Sequence, residues 1–360
     1  MRAFLSHSRT TSRSRAMLVA IAAIPFAPAM GFAQGGVIRG TVTDAVGGTL
    51  GYSVVAILPE DHRILTDDAG RFVITGLAPG SYRLSARHLG YHPLDTVVTI
   101  GADSSPQLDL RLTHITVRLG EMRVVAPGGP CVHPGPPDPD TDLSLAIIFG
   151  QLRENADRAI TLGTQFPFIF QMERRVMQQM PDGATRPAGL DTIVIDGGAQ
   201  WAYRRGQVIT MVNDHGRPAR QLNIPGLAQL ADSGFHNAHC FTYGGVEKIK
   251  RKRYVRVDFS PDVQIDTPDL EGSVYLDPDS YQIARLVMML THPEKLDAKI
   301  SELKVTSSFR EIVTSIAILD SAEGVTTFEV PRGNPMVRTE RQKTVNVVFT
   351  RGTPPGAALH

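Results

Sequence analysis

Residues 66–91 read T-D-D-A-G-R-F-V-I-T-G-L-A-P-G-S-Y-R-L-S-A-R-H-L-G-Y. The stretch D-D-A-G at 67–70 favours a tight turn, since Asp side chains bond the nearby backbone and Gly adopts positive φ. R-F-V-I-T at 71–75 alternates as a strand does, and G-L-A-P-G at 76–80 favours a second turn. Y-R-L-S-A-R at 82–87 alternates again. The order turn, strand, turn, strand predicts a small β module.

The sequence around this stretch has the same character from residue 36 to residue 125. Further strands are predicted at 37–42, 52–58, 97–100 and 108–112. The strand at 52–58 is almost continuously apolar, which predicts burial of both its faces. Regular short strands separated by turn residues predict a Greek-key β-sandwich, and about 90 residues suffice for one compact core.

The N-terminus has the pattern of a secretory signal peptide. Four arginines precede an apolar run at 16–26, and small residues lead to a cleavage site after Ala33. Pro25 and Pro28 interrupt the run, which is too short for a membrane span of about 20 residues. The sequence therefore predicts a signal peptide at 1–33 and an exported protein, either periplasmic or associated with an outer membrane.

The charge balance is nearly even, with 37 basic and 36 acidic residues. The predicted signal holds four of the basic residues and none of the acidic ones, which leaves 33 against 36. A nucleic-acid partner is not expected, because it would need a basic face. The one basic run is K-I-K-R-K-R at 248–253. It favours a solvated strand edge or turn, with contact to an anionic surface as the alternative.

The chain has two cysteines, Cys131 and Cys240. In an oxidising compartment such a pair favours a disulfide. A Cys/His metal site is the alternative, since His133, His236 and His239 lie beside the cysteines in sequence. A metal-dependent hydrolase using that site is the weakest functional hypothesis, and unpaired thiols are also left open.

A second domain is predicted at 143–350, after a linker at 126–142 that is rich in Pro and Gly. Thr141 or Asp142 can cap a helix with apolar positions through Leu152, and this helix is expected to end near Asp157 and Arg158. Strands are predicted at 166–180, 191–196, 200–212, 254–259, 272–276, 282–291, 300–309, 311–319, 326–330 and 344–349, with a turn at 276–281 and a short helix at 225–233. The pattern indicates a curved antiparallel sheet with one or two helices.

The first domain resembles the carboxypeptidase regulatory-like domain. The resemblance lies in G-T-V-T-D at 40–44, T-D-D-A-G-R-F at 66–72, G-L-A-P-G-S-Y at 76–82 and G-Y at 90–91. It implies a mainly β, prealbumin-like sandwich of the carbohydrate-binding-like class, which serves as an accessory module without catalysis. Glycan binding by this domain is one functional hypothesis.

Two weaker resemblances concern the rest of the chain. L-G-E-M-R-V-V at 119–125 looks like the segment that follows this domain in TonB-dependent receptors, but too few residues remain for a plug and barrel. The stretches at 240–243, 255–261 and 270–277 are similar to lipoprotein-carrier-like half-barrels. That resemblance implies a concave sheet face that holds an acyl chain, and it makes lipid or lipoprotein carriage an alternative function.

Catalytic and metal-binding motifs are absent from the sequence. The chain has no His with Glu three residues later, no H-E-x-x-H, no G-x-S-x-G and no phosphate-binding glycine loop. Five carboxylates near residue 265 are expected to be turn residues rather than a calcium site. They are Asp258, Asp262, Asp266, Asp269 and Glu271. We therefore predict a non-catalytic binding or interaction protein of the bacterial cell envelope, without cofactor or metal. Its expected partner is an envelope protein or an apolar or glycan ligand.

Two sets of side chains are candidates for contact with a ligand. Trp201 and Tyr203 would share one face of a strand and could contact a ligand, although aromatic residues serve a core equally well. On the carrier hypothesis, one face of a later strand would line the acyl site. The candidates there are Leu286, Met288 and Leu290, or Val287 and Met289 on the other face.

Overall fold

A computed structural model describes residues 35–59, 62–101, 105–116, 130–198, 201–214 and 217–357. Residues from Gly35 onward cluster as one compact unit. The predicted signal peptide, the receptor-like segment at 119–125 and the first residues of the predicted linker lie outside the described residues. No helix in the described ranges is long and apolar enough to cross a membrane.

The first part of the chain is a β-sandwich, as predicted. Its described strands are β1 (Gly36–Asp44), β2 (Val54–Leu58), β3 (His62–Leu65), β4 (Arg71–Leu77), β5 (Gly80–Arg87), β6 (Leu94–Ile100) and β7 (Gln107–Leu112). One sheet has the order β4-β1-β7 and the other the order β3-β2-β5-β6. Apolar residues that alternate along β1, β4 and β7 meet the nearly continuous apolar β2 in a shared core.

The two turns around β4 have the predicted chemistry. The Asp67 carboxylate accepts hydrogen bonds from the backbone N–H groups of Ala69 and Arg71, at 3.0 and 2.8 Å. Gly70 and Gly76 have φ of +74° and +80°, a region that Gly occupies without a steric penalty. The local sequence therefore specifies the turns on both sides of β4.

The second part contains helices α1 (Leu143–Gln165) and α2 (Ser233–Ala238), with 3-10 turns at Ala228–Ala231 and Pro293–Lys295. Its described strands are β8 (Phe168–Gln179), β9 (Thr185–Asp196), β10 (Ile209–Asp214), β11 (Arg217–Leu222), β12 (His239–Ile249), β13 (Lys252–Pro261), β14 (Leu270–Leu276), β15 (Ile283–Leu290), β16 (Ile300–Val313), β17 (Ile316–Phe328) and β18 (Met336–Phe349). One antiparallel sheet has the order β12-β13-β14-β15-β16-β17-β18-β8-β9, and β10 pairs with β11.

Helix α1 begins where the sequence predicts, but its predicted end is wrong. The Asp142 side chain caps it by accepting the Leu145 N–H at 2.9 Å. Asp157 and Arg158 do not mark its end, because both are buried and find partners in the sandwich, Arg63 and His88. The helix therefore continues to Gln165.

Two predicted strand boundaries are also wrong. Residues 201–208 are irregular, because Asp232 accepts the Tyr203 N–H at 3.0 Å and Asp269 accepts the Gly206 N–H at 2.9 Å. These side chains replace the hydrogen bonds of a strand ladder. The sequence predicts separate strands at 300–309 and 311–319, but β16 continues without a break to Val313. The chain reverses only at Ser315, where φ is 60°.

The concave face of the large sheet is only partly filled by the helices. The first half of α1 packs with α2 on strands β12 to β15, and this layer forms the main core. Leu286, Met288 and Leu290 lie in that core, at 0, 1 and 5% exposure. The expectation that they line a ligand site is therefore wrong for this face. The open part of the sheet lies farther along, at β16, β17, β18, β8 and β9.

Candidate binding site

A groove of about 1350 Å³ runs between α1 and the open half of the concave sheet face. Strands β16, β17, β18, β8 and β9 form its base, and the segment at 221–229 contributes one rim. Ligand sites in proteins commonly occupy about 300–1,000 Å³, so this groove could hold a molecule longer than a typical metabolite.

Small side chains explain why the base of the groove is open. The strand register places Ser307 beside Ala322, and Gly324 beside Val305. Gly324 also faces Glu340 on β18. A Cβ atom added at Gly324 would meet no heavy atom within 4 Å. The sheet is therefore continuous here, while the space above it is not filled by side chains.

Apolar side chains form the walls near α1. Phe170 on β8 pairs with Ile195 on β9, and Phe168 and Ile193 line the same part of the groove. The other contributions come from Leu303, Phe309 and Leu319 on the central strands, Ile160 on α1, and Ile224 and Leu227 on the rim. This part of the groove favours an apolar segment of a ligand, because burial of apolar surface is the main source of affinity there.

The end of the groove farther along β8 is polar. Arg174 forms a two-pronged pair with Asp191, at 2.8 and 2.5 Å, and lies 3.8 Å from Glu340. Arg338 lies 3.8 Å from the other oxygen of Glu340. The hydrogen bond from Arg174 lowers the pKa of the Asp191 carboxyl. The groove is thus apolar at one end and charged at the other, which suits an amphipathic ligand.

The interface between the sandwich and α1 is held by ion pairs and hydrogen bonds. Asp157 lies 2.8 Å from Arg63 and 3.6 Å from Arg87. The Gln151 side chain accepts the Gly90 N–H, and the Gln165 side chain accepts the Leu65 N–H, both at 2.8 Å. An apolar cluster at this interface joins both parts of the chain. The sandwich therefore supports the helix that forms one wall of the groove.

Arg158 lies at the centre of this interface and is fully buried. Its Nε donates to the Ser315 carbonyl at 3.0 Å, and its Nη1 lies 3.3 Å from His88 Nδ1. Burial lowers the pKa of His88 to about 2, so the imidazole stays neutral and Nδ1 can accept from Arg158. Glu154, one turn before Arg158, has an oxygen with no hydrogen-bond partner among the described residues. Burial raises the pKa of this carboxyl to about 7.

Replacing Glu154 by glutamine is expected to change how stability depends on pH. The folded pKa of about 7 exceeds the ordinary 4.5, so the folded state binds an extra proton between these values. The free energy of unfolding therefore falls as pH rises through this window, by about 3 kcal/mol in total at about 1.4 kcal/mol per pKa unit. Glu154→Gln removes that loss. Urea unfolding of both proteins at several pH values between about 4.5 and 7 measures this difference in the free energy of unfolding.

The depressed pKa of His88 acts in the opposite direction, since its contribution to stability grows as pH rises from about 2 to about 6.5. Both proteins contain His88, so its effect cancels in the difference between them. Glu154→Gln should gain stability over the parent protein towards neutral pH. A difference that is constant from acid to neutral pH would show that Glu154 keeps an ordinary pKa.

The structure joins Cys131 and Cys240 in a disulfide, with their Cα atoms 5.5 Å apart. His239 turns into the core, where its ring nitrogens lie 2.8 Å from the Phe235 carbonyl and 3.0 Å from the Leu270 carbonyl. His236 contacts the Leu230 carbonyl. Within the described ranges, no three His, Cys, Asp or Glu side chains come close enough to hold a metal. Both cysteines and two of the three candidate histidines, His236 and His239, are thus engaged elsewhere.

The aromatic candidates are separated by the fold. Tyr203 is 5% exposed, and its hydroxyl donates to Asp269 at 2.5 Å, so it belongs to the core and cannot contact a ligand. Trp201 is partly exposed and lines a second cavity of about 690 Å³, beside Asp157 and Gln229. Asp262 is paired with Arg205 at 2.5 Å. Asp262 and Asp269 thus support irregular backbone, as predicted for turn residues. Asp258 lies in β13 and Glu271 in β14, so the same prediction is wrong for these two.

The residues that open the groove were not singled out from the sequence. Ala322, Gly324 and Thr326 alternate on β17, and small residues at every second position of a long strand are the signal that could have identified an unfilled face. Their partners on β16 and β18 are distant in sequence, so the signal has meaning only once the strand register is known.

Comparison with known proteins separates the two parts of the chain. The sequence model of the carboxypeptidase regulatory-like domain matches residues 37–113. No curated protein matches the chain significantly. A chlorocatechol 1,2-dioxygenase structure from Pseudomonas putida is 15% identical, with a TM-score of 0.19, and the match covers 22% of this chain. The chain spans only 61% of the length of that dioxygenase.

Two further structures cover the C-terminal part. A LolA superfamily protein from Nitrosomonas europaea is 12% identical, with a TM-score of 0.29, and the match covers 57% of this chain and 94% of the other. A DUF1329 family protein from Desulfovibrio piger is also 12% identical, with a TM-score of 0.33 and the same coverage. The superpositions are loose, and no activity is assigned from them. Residues 37–113 of this chain are a carboxypeptidase regulatory-like domain, as the resemblance in sequence predicts.

Proposed function

We propose that this chain is a non-catalytic, exported binding protein whose groove takes an amphipathic ligand with an acyl chain. One observation carries the proposal: the concave face around Gly324 is open, although the remainder of that face is filled by helices. A sheet face normally buries its apolar side against another layer. The ligand takes the place of the missing layer in this half of the sheet.

The polarity of the groove supports an amphipathic ligand over a purely apolar one. Each methylene buried against the partly exposed Ile193, Ile195 and Phe309 contributes about 0.8 kcal/mol, so a chain of several methylenes gains useful affinity. The polar group of the ligand would lie at the Arg174, Glu340 and Arg338 end. There, cations and an acceptor can form hydrogen bonds that the apolar end cannot supply.

The chemistry of the groove supports binding rather than catalysis. Its described lining contains no His and no Cys, and its carboxylate Glu340 lies between Arg174 and Arg338, at 3.8 Å from each. The strongly perturbed groups, His88 and Glu154, are buried at the interface with the sandwich and do not line the groove. General acid–base catalysis needs such a group within reach of the substrate.

A segment of a partner protein is the second candidate occupant. Strand β9 is an edge of the large sheet and is exposed over most of its length, next to the groove. Extended peptides can add to such an edge. Pro187 in this strand lacks an N–H, however, and proline commonly protects edges from pairing. The groove itself is therefore the favoured site.

The test uses cis-parinaric acid, a fatty acid whose fluorescence rises in an apolar environment. Titration into the purified protein should give saturable binding with one site per chain, and an added unlabelled long-chain fatty acid should displace the probe. Protein unfolded in urea is the control for unspecific contact. Fluorescence that rises linearly without saturation would count against an acyl-chain site in the groove.

A further inference from the structure

The hairpin that joins β12 and β13 concentrates positive charge at its tip. Lys248, Lys250, Arg251, Lys252 and Arg253 are all exposed. Without these five, the sequence from residue 34 onward has 28 basic and 36 acidic residues. The cations therefore form a local positive end on a molecule that is otherwise acidic.

No carboxylate in the described part of the chain forms a salt bridge with these five cations. The carboxylate just before them in sequence, Glu247, is engaged elsewhere. It lies 3.0 Å from Arg256 and accepts a hydrogen bond from the Tyr275 hydroxyl at 3.3 Å. The positive charge at the tip is thus available to a partner outside the chain.

The tip also has features that weaken the hairpin itself. Lys248 lies directly opposite Arg253, and like charges in such a pair destabilise a sheet. Lys250 has φ of 57°, a conformation that Gly or Asn adopts more readily in a two-residue hairpin turn. Lys248, Lys250 and Arg253 are therefore cations at positions where other residues would make the hairpin more stable. Functional sites commonly contain such locally unfavourable residues.

We propose that this tip, defined as residues 248–253, docks the protein onto a membrane surface rich in anionic phospholipid. Clusters of four to eight Lys or Arg residues are typical of such contacts. Attraction at the tip and repulsion of the acidic remainder would orient the molecule with the hairpin towards the surface.

Two observations favour a membrane over a nucleic acid. The positive region is a single hairpin tip, whereas a nucleic acid would need a basic stripe or face. Ile249 and Tyr254 are half-exposed beside the cations, and apolar and Tyr side chains suit the membrane interface. Strand β12 also forms the sheet edge opposite to β9, so docking leaves the groove free.

The test is co-sedimentation of the full chain with vesicles of equal parts phosphatidylglycerol and phosphatidylcholine. Vesicles of phosphatidylcholine alone give the baseline. We expect binding that weakens as salt is added, because salt screens exposed charges. Replacing all five tip cations by glutamine should lower the partition coefficient by about 100-fold or more, since each cation near the surface contributes about 1 kcal/mol.

A matched control variant removes the same charge from scattered exposed positions. It replaces Arg204, Lys299, Lys304, Arg332 and Arg351 by glutamine, and it should bind the vesicles almost as the parent does. The predicted signal is common to all variants, so its contribution cancels. Equal losses in both variants, or no loss in either, would overturn the proposal.

A second variant separates docking from folding. Lys250→Gly with Arg251→Asn places Gly at the position of positive φ, which a two-residue hairpin turn of this kind prefers. It should keep or raise the free energy of unfolding while it lowers vesicle binding by about 30-fold, since two cations are lost. Binding to single-stranded DNA by the parent, with no binding to the anionic vesicles, would assign the tip to nucleic acid instead. The vesicle assay does not involve the groove, so either proposal can fail alone.

Discussion

Replacing Gly324 by tryptophan is expected to lower the affinity for cis-parinaric acid by about 100-fold or more. Gly324 lies on the base of the groove, and a side chain there would project into open space. The indole would exclude several methylenes of the ligand, and about four of them account for this loss at about 0.8 kcal/mol each. The fold should tolerate the change, because aromatic residues suit strands better than Gly does.

A control substitution that also introduces tryptophan is available on the other face of the same sheet. Val348 pairs with Ile169 on β8, is 40% exposed and does not line the groove. Val348→Trp should therefore bind the probe as the parent does. The same melting temperature in both variants, with loss of binding only in Gly324→Trp, would place the ligand in the groove. Unchanged binding in Gly324→Trp would place it elsewhere.

Replacing Arg158 by methionine is expected to lower the free energy of unfolding by about 3 kcal/mol, as for the loss of a buried hydrogen-bond network. The change removes the donor to the Ser315 carbonyl and the neighbour of His88. It also removes the positive charge that partly offsets the effect of burial on the pKa of the Glu154 carboxyl. Urea unfolding at neutral pH measures the effect.

The double variant with Glu154→Met tests the physical reason. If the loss comes mainly from the buried Glu154 carboxyl left without a nearby cation, replacing both residues should recover much of the stability, because buried charged groups can often be replaced by apolar ones at little cost. If the double variant is less stable than Arg158→Met alone, the Arg158 contacts to the Ser315 carbonyl and His88 dominate instead. A loss below about 1 kcal/mol for the single variant would contradict a structural role for this arginine.

The sandwich could be predicted from the sequence because the residues that determine each of its turns and strands are close together in sequence. The aspartates and glycines of 67–76 determine their own turns, and the alternation of β4 shows which face is buried. For the curved sheet, the fold class could be predicted from the sequence, but the ends of the strands could not. Strands β16 and β17 are long and partly polar, so their ends depend on pairing with distant strands rather than on local residue type.

The site was harder to predict for the same reason. An open groove depends on what is missing above Gly324, and no local pattern of β17 reports what packs on it. Leu286 and Met288 have a favourable composition for ligand contact, yet the helices cover them. Asp157 and Arg158 had the charge pattern of a helix end, but the sandwich supplies Arg63 and His88 as partners. Tertiary contacts decided each of these cases.

The most direct test of the account is a native mass spectrum of the protein recovered from periplasmic expression, beside that of Gly324→Trp. We predict an added mass matching a fatty acid or phospholipid on the parent chain, and its absence from the variant. A denaturing spectrum of each sample supplies the mass of the bare chain. A parent protein that carries no added mass, or a variant that carries the same lipid, would contradict an acyl-binding groove.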